Sequence, residues 1–332
     1  MYYNTAGIDL NNSFSRLLPQ WAKLKEQTDM AFLFDSFEGW KQYCEEHNKS
    51  LHETVLAFEA EQKGRTKDEV WAHLSNAYHV MKDAVETGLH EDMQSQSGMI
   101  NNGAKKVFNY PTPVLSPEFQ RLISRALAAK EVNSCMGRVV AAPTAGASGI
   151  LPGTMYTLQE IHQLDDEQII EGLLIGAGIA LIIEQKASLA GAVGGCQAET
   201  GSAAAMASGA IVHCLGGNID QVFNAVATTI QCMLGLVCDP VAGLVEVPCV
   251  VRNASASAIA FSSAQIALAN VNAVIPVDEC VEAMGEIGQS MEARYKETAL
   301  GGLAATRTGQ AISKRVLIQD IEMLPDEEQQ EG

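Results

Sequence analysis

The chain has 332 residues, 47% of them hydrophobic but only 6% aromatic, and carries a formal net charge of -18. That length suffices for one large domain or two modest ones, and so acidic a composition argues against nucleic acid, whose phosphates need clustered Lys and Arg. Met1 to Thr5 shows no basic segment followed by an apolar one, and the longest apolar run, Gly172 to Ile183, gives way to Glu184 and Lys186. The expectation is a cytoplasmic protein with no membrane span, whose eight cysteines are thiols.

Residues 1–60 read as a helical N-terminal extension. Ser50 with Glu53, and Thr66 with Glu69, have the spacing of a capping box. After the second, Val70, Leu74, Tyr78, Met81 and Val85 fall on one helical face, and Gly88 stands where a glycine stop belongs. Ser116-Pro117-Glu118 opens another helix, with serine as cap and proline in the first turn. Pro276 to Arg294 reads as a later amphipathic helix. Strand-like alternation is scarce, so the predicted fold is mainly α. A helical catalytic domain with glycine-rich loops is expected over 61–315, and an acidic, disordered tail over 316–332.

The character of the chain changes near residue 137. Between Gly137 and Ala260, 124 residues hold only 13 charged side chains, and 22 of the 28 glycines lie at or beyond Gly137. A stretch so poor in charge is buried, and its few polar groups need partners. Within it, Cys196 follows Gly194-Gly195, Cys238 precedes Asp239-Pro240 and Cys249 follows Pro248. Residues that break helices place all three at element ends or loops. Cys44, Cys135, Cys214, Cys232 and Cys280 mostly look instead like buried structural thiols. Composition alone leaves two readings open, which are plain burial and an iron–sulfur cluster. A cluster held by only three thiolates keeps one iron free to act as a Lewis acid.

Six blocks bear on the choice. Ser95-Gln96-Ser97-Gly98-Met99 resembles the Ser-x-Ser-Gly motif of iron–sulfur L-serine dehydratases. Similar to the same family are Pro143 to Gly153, Gly195 to Glu199, Leu236 to Pro240, Val247-Pro248-Cys249 and Tyr295 to Gly302, in that order along the chain. The resemblance implies an alpha chain with a four-iron–four-sulfur cluster on Cys196, Cys238 and Cys249. It implies elimination of water and then ammonia from L-serine to give pyruvate, a step of amino-acid degradation and gluconeogenesis. The family's second domain, with its Ser-Ser-His-Thr motif, has no counterpart in 1–60, so a separate beta chain is expected, with a homo-oligomer also possible. Lys186 and Val251 depart from the family pattern and could alter substrate choice toward threonine, cysteine or a modified serine.

Within the resemblance, Ser95 and Ser97 are candidates to hold the substrate carboxylate, with a helix-ending turn as the plainer alternative. Thr144 and Ser148 are candidates for the carboxylate or amine. Arg252 and Asn253 could pair with the carboxylate or brace the cluster loop, and Glu199 could meet the ammonium or support a residue that binds the cluster or substrate. The general base stays unassigned, since none of the seven histidines lies in these blocks; a serine alkoxide near Ser97 or a beta-chain group are the options. Two rival readings remain. One is pyridoxal-phosphate chemistry on Lys186, with Gly191 to Gly195 as phosphate cradle. The other is a non-catalytic protein whose cluster is closed by Cys135 or Cys232.

Overall fold

The computed structural model describes residues 34–322, apart from 112, 113 and 115. Residues 1–33 of the extension and 323–332 of the tail lie outside the described residues. The fold is mainly α. No strand forms among the described residues, where the β pairing consists of isolated bridges at Gln94–Asn101 and Cys238–Lys296. No described helix is long and apolar enough to cross a membrane.

Thirteen described helices follow in order: α1 Phe37–His47, α2 Leu51–Lys63, α3 Lys67–His90, α4 Gly103–Phe108, α5 Pro117–Ser134, α6 Ile150–His162, α7 Asp166–Lys186, α8 Gly191–Gly194, α9 Ser202–Cys214, α10 Ile219–Met233, α11 Cys249–Leu268, α12 Val277–Ser290 and α13 Arg307–Glu322. Their starts are chemically marked. Ser50 and Thr66 close capping boxes with Glu53 and Glu69, and Ser116 caps α5 ahead of Pro117. Each box satisfies backbone N–H groups that the first turn leaves unpaired.

The bundle is built around α9. Its residues Ser202 to Val212 are all buried, and α6, α7, α10 and α11 pack around it. Eight of its thirteen residues are Ala, Gly or Ser in the stretch from Ser202 to Ala210 alone, which lets neighbouring backbones approach closely. A second apolar cluster joins α3, α4 and α5 to the start of α11 through Val85, Leu89, Leu127, Val132 and Val250.

The scarce aromatic residues concentrate at the described end of the N-terminal extension. Phe34 meets Trp40 and Phe58 edge-on, and Phe37 meets Phe223 of α10. The buried Trp40 indole donates to Thr54 Oγ1 at 2.8 Å, while Asp278 of α12 accepts from the Phe37 and Glu38 amides at the head of α1. Helices α1 and α2 therefore share the main core.

Three expectations are corrected. Gly88 does not stop its helix: α3 continues to His90, and Gly88 is where α3 touches α5, since a Cβ there would lie 2.6 Å from the Ala128 carbonyl carbon. The five other cysteines are not uniformly buried: Cys232 is exposed, and Cys135 and Cys214, at helix ends, are half-buried. Residues 316–322 are not tail but the end of α13, whose start is capped by Thr306 Oγ1 accepting from the Gly309 amide.

Gly88→Ala gains helix propensity of up to ~1 kcal/mol but overpacks the α3–α5 contact. The variant should lose about 1–3 kcal/mol on urea unfolding; equal or greater stability would show that the two helices can part without cost.

A buried cysteine and carboxylate site

Each of the three loop cysteines is placed by a different local device. Gly195 takes φ +76, and a Cβ there would lie 2.6 Å from Met291 Sδ, so the turn requires glycine. It delivers Cys196 to the head of a π-helical turn, Gln197–Gly201, whose wide loop is a recurrent feature of functional sites. Cys238 is held by a single parallel bridge: its amide donates to Tyr295 O at 2.8 Å and its carbonyl accepts from the Glu297 amide at 2.9 Å. Cys249 is the first residue of α11, and its carbonyl accepts from Asn253 Nδ2 at 2.8 Å.

All three thiols are buried. Burial pushes Cys249 up to about 12, partly offset by the Lys130 charge. Burial also raises Cys196, again with partial relief from Arg252. Cys238 is raised by burial and by the neighbouring Cys196, Glu199, Glu297 and Cys249. Thiols in this state are protonated at neutral pH, and a metal would have to displace the protons to bind.

The predicted polar residues are near these loops, and most are already partnered. Arg252 braces the cysteine loops. It donates from Nη1 to Val237 O at 2.8 Å, its Nη2 lies 2.8 Å from Asp239 Oδ1, and it is hydrogen-bonded to Cys196. Asn253 is fully buried and spends its amide on Gly146 O, Cys249 O and the Gly149 amide, each at 2.8 Å. Thr144 donates to Glu199 in a short hydrogen bond. Glu199 is buried, and burial raises its pKa. Ser148 is fully buried with its hydroxyl unpartnered. Ser95 and Ser97 are buried side by side, and both donate to Glu246 Oε2, at 2.7 and 2.6 Å, within a turn where Gly98 takes φ +73.

Three residues not singled out from the sequence complete the site. Lys130, fully buried on α5, donates to Asn133 Oδ1 at 2.6 Å and Val245 O at 2.9 Å; burial lowers its pKa against the pull of Cys249, Glu199 and Glu246. A lysine uncharged by its surroundings in sequence, flanked by Ala129 and Glu131, gave no signal. Glu246 is buried and anchors the two serines. Glu297 stands at the outer edge, raised by burial and by Glu199; it lay inside the recognised Tyr295 to Gly302 block but was not given a role. No hydrogen bond or ion pair joins a histidine to this group among the described contacts. Lys186 lies elsewhere, 3.1 Å from Glu282 and 3.4 Å from Asp278, its ammonium committed to ion pairs.

The three sulfurs are too widely spaced for one tetrahedral ion. Three thiolates on one tetrahedral zinc would lie about 3.8 Å apart, whereas the three sulfurs are not all within 4.8 Å of one another. Gly191 approaches the sulfur of Cys238 closely: a Cβ there would sit 3.2 Å from Cys238 Sγ, 3.3 Å from Glu199 Oε2 and 3.6 Å from Glu297 Oε2, so the position favours glycine.

The chain matches the family model described as serine dehydratase alpha chain over residues 46–304. It belongs to that family. It is 41% identical over 277 residues to the L-serine dehydratase alpha chain of Peptoniphilus asaccharolyticus, covering 82% of this chain and 95% of the relative. It is 42% identical over 269 residues to the probable L-serine dehydratase alpha chain of Bacillus subtilis, covering 80% and 89%. The L-serine dehydratase of Streptomyces coelicolor is 36% identical over 259 residues, which span 76% of this alpha-type chain but 56% of that longer protein.

Alkylation of the metal-free alpha-type chain at pH 8, read by mass spectrometry, should label the exposed Cys232 first and Cys249 slowly. Labelling of Cys249 should rise about tenfold per pH unit up to its high pKa. Rapid, pH-independent labelling of Cys249 would contradict its burial as a neutral thiol.

Proposed function

We propose that the chain is the catalytic subunit of an iron–sulfur L-serine dehydratase, eliminating water and then ammonia from serine to give pyruvate. The observation that carries this reading is the convergence of three buried thiols, each set by its own local device, in a chain of the serine dehydratase alpha family. A four-iron–four-sulfur cluster held by Cys196, Cys238 and Cys249 would supply, at the iron without a thiolate, a Lewis acid for the departing β-hydroxyl.

The remaining roles fall to the protein. Lys130 and Arg252 oppose the negative charge of thiolates at Cys249 and Cys196. Ser148, its hydroxyl unspent, lies between Gly146, which abuts Glu199, and Gly149, which abuts Asn253; on this reading it receives the substrate carboxylate, with Thr144 and Glu199 toward the ammonium. Ser95 and Ser97 brace the site through Glu246. An alkoxide at Ser97 would face that carboxylate directly, and like charges oppose it, so the proton acceptor is assigned to a partner chain.

That partner is a separate beta chain. Supporting it, the chain covers nearly all of relatives named alpha chains but 56% to 63% of several relatives named simply L-serine dehydratase. Apolar side chains also stand exposed beside the site: Val193 is 55% exposed, Val251 59% and Leu300 72%. Each lies within three residues of Cys196, Cys249 or Glu297, on a surface suited to being covered.

Anaerobic reconstitution should give about four iron and four sulfide per chain, with both reduced in Cys238→Ser. Serine should then be converted to pyruvate when a beta chain is added. Negligible iron in the unaltered chain would overturn the reading, as would full turnover by the Cys238→Ser variant.

A further inference from the structure

Away from the cysteine loops, three ligating side chains from three helices meet with no hydrogen bond between them. His52 Nε2 lies 3.5 Å from one oxygen of Glu171, and His213 Nε2 lies 3.5 Å from the other. One ligating atom from each of the three is within 4.8 Å of the other two, a grouping found at this place alone among the described residues. Both 3.5 Å separations exceed the 2.7–3.2 Å typical of N–H···O hydrogen bonds. They do match the spacing of ligands around one ion: atoms about 2.0–2.1 Å from a tetrahedral metal sit about 3.3 Å apart.

We propose that His52, Glu171 and His213 form a second metal site, which takes a divalent transition ion such as zinc and ties α2 to the bundle core. Two imidazoles and one carboxylate are a donor set for zinc, with a fourth position left for water. The surroundings agree. Ser50 Oγ lies beside the His52 ring, 3.3 Å from Nδ1 and 3.4 Å from Nε2. His213 is in the last turn of α9, where the helix dipole favours a cation. All three side chains are partly screened, at 18% to 31% exposure, so an ion could enter without unfolding the site. Cys214 is not a fourth ligand, since its thiol turns to Gln168 O at 3.2 Å. The three residues belong to α2, α7 and α9, so one ion would join the helix pair α1–α2 to the helices at the centre of the fold.

The test uses the full metal-free chain and Co²⁺, whose spectrum separates nitrogen and oxygen ligands from thiolates. Weak visible bands without the intense near-ultraviolet thiolate band would report this site, and the thiolate band would report the cysteines. The expected result is one equivalent of the first kind. It should bind at least tenfold more weakly in His52→Gln and in His213→Gln, while the thiolate band is unchanged. Zn²⁺ should raise the Tm of the parent chain more than that of either variant, any remaining rise in the variants reporting the cysteines, and melts in chelator establish that the variants fold. If His213→Gln does not fold, His52→Gln, on the less buried helix, carries the test. A spectrum entirely of the thiolate kind, or visible bands that survive both substitutions, would overturn the site. Neither result depends on whether the cysteines accept iron.

Discussion

Three thiols and three carboxylates (Glu199, Asp239 and Glu246) are buried here with Lys130 and Arg252 as the cations among them. Ionising all the acidic groups at once in such an interior would be prohibitively costly. The chain manages the imbalance by leaving charge unmade: Cys196, Cys238, Cys249 and Glu199 are all shifted toward their neutral forms. The two cations are spread across the site, Lys130 relieving Cys249 and Arg252 relieving Cys196 and pairing with Asp239. At Cys238 the largest influences are burial and its acidic neighbours, and Gly191 approaches its sulfur closely. The site is thus a set of donors held toward their protonated forms, a state that a cationic metal centre would stabilise by exchanging protons for positive charge.

Holding that state demands a rigid frame, and the frame comes from small side chains. The Ala- and Gly-rich α9 brings α6, α7, α10 and α11 together at its surface, and these carry or flank the loops of the site. Asn253 then joins two of those loops through a single amide: its three hydrogen bonds reach Gly146, Gly149 and Cys249. Removing it would leave several buried backbone groups without partners, each costing about 1–3 kcal/mol. The same frame explains why the Pro143 to Gly153 loop carries so many glycines. A Cβ at Gly146 would collide with Glu199, and one at Gly149 would meet Asn253 Oδ1 at 3.0 Å.

Much of this was legible in the amino-acid sequence, for reasons that differ by residue. Helix starts could be read because capping is local, a matter of one hydroxyl and the amide three residues on, as at Ser50 and Thr66. The three cysteines could be singled out because helix-breaking neighbours mark loops. Gly88 was misread because a glycine that ends a helix and one that admits a neighbouring helix look alike in sequence; only Ala128, 40 positions away, distinguishes them. Lys130 and Glu246 gave no signal for the same reason, since their partners are remote and their neighbours ordinary. Ser95 and Ser97 were visible as a motif, yet their attachment to Glu246 depends on a contact spanning about 150 residues. Local patterns announce elements and loops, whereas charge relationships inside a fold are set by distant pairs.

That distinction bears on how the proposed chemistry would be divided between chains. The inward side of the site is finished: Lys130, Asn253 and the Ser95–Ser97–Glu246 network are buried and hydrogen-bonded. The outward side is not. Glu297 is exposed at its rim, and Val193, Val251 and Leu300 present apolar surface to water. A dehydration that releases a reactive enamine gains from excluding solvent, which also strengthens every electrostatic contact inside. On the proposed reading, this chain supplies the metal ligands and the charge balance, and the beta chain supplies closure and the proton acceptor. The catalytic environment would then be complete only in the assembled pair, because the low dielectric on which its charge relationships depend requires the outer face to be covered.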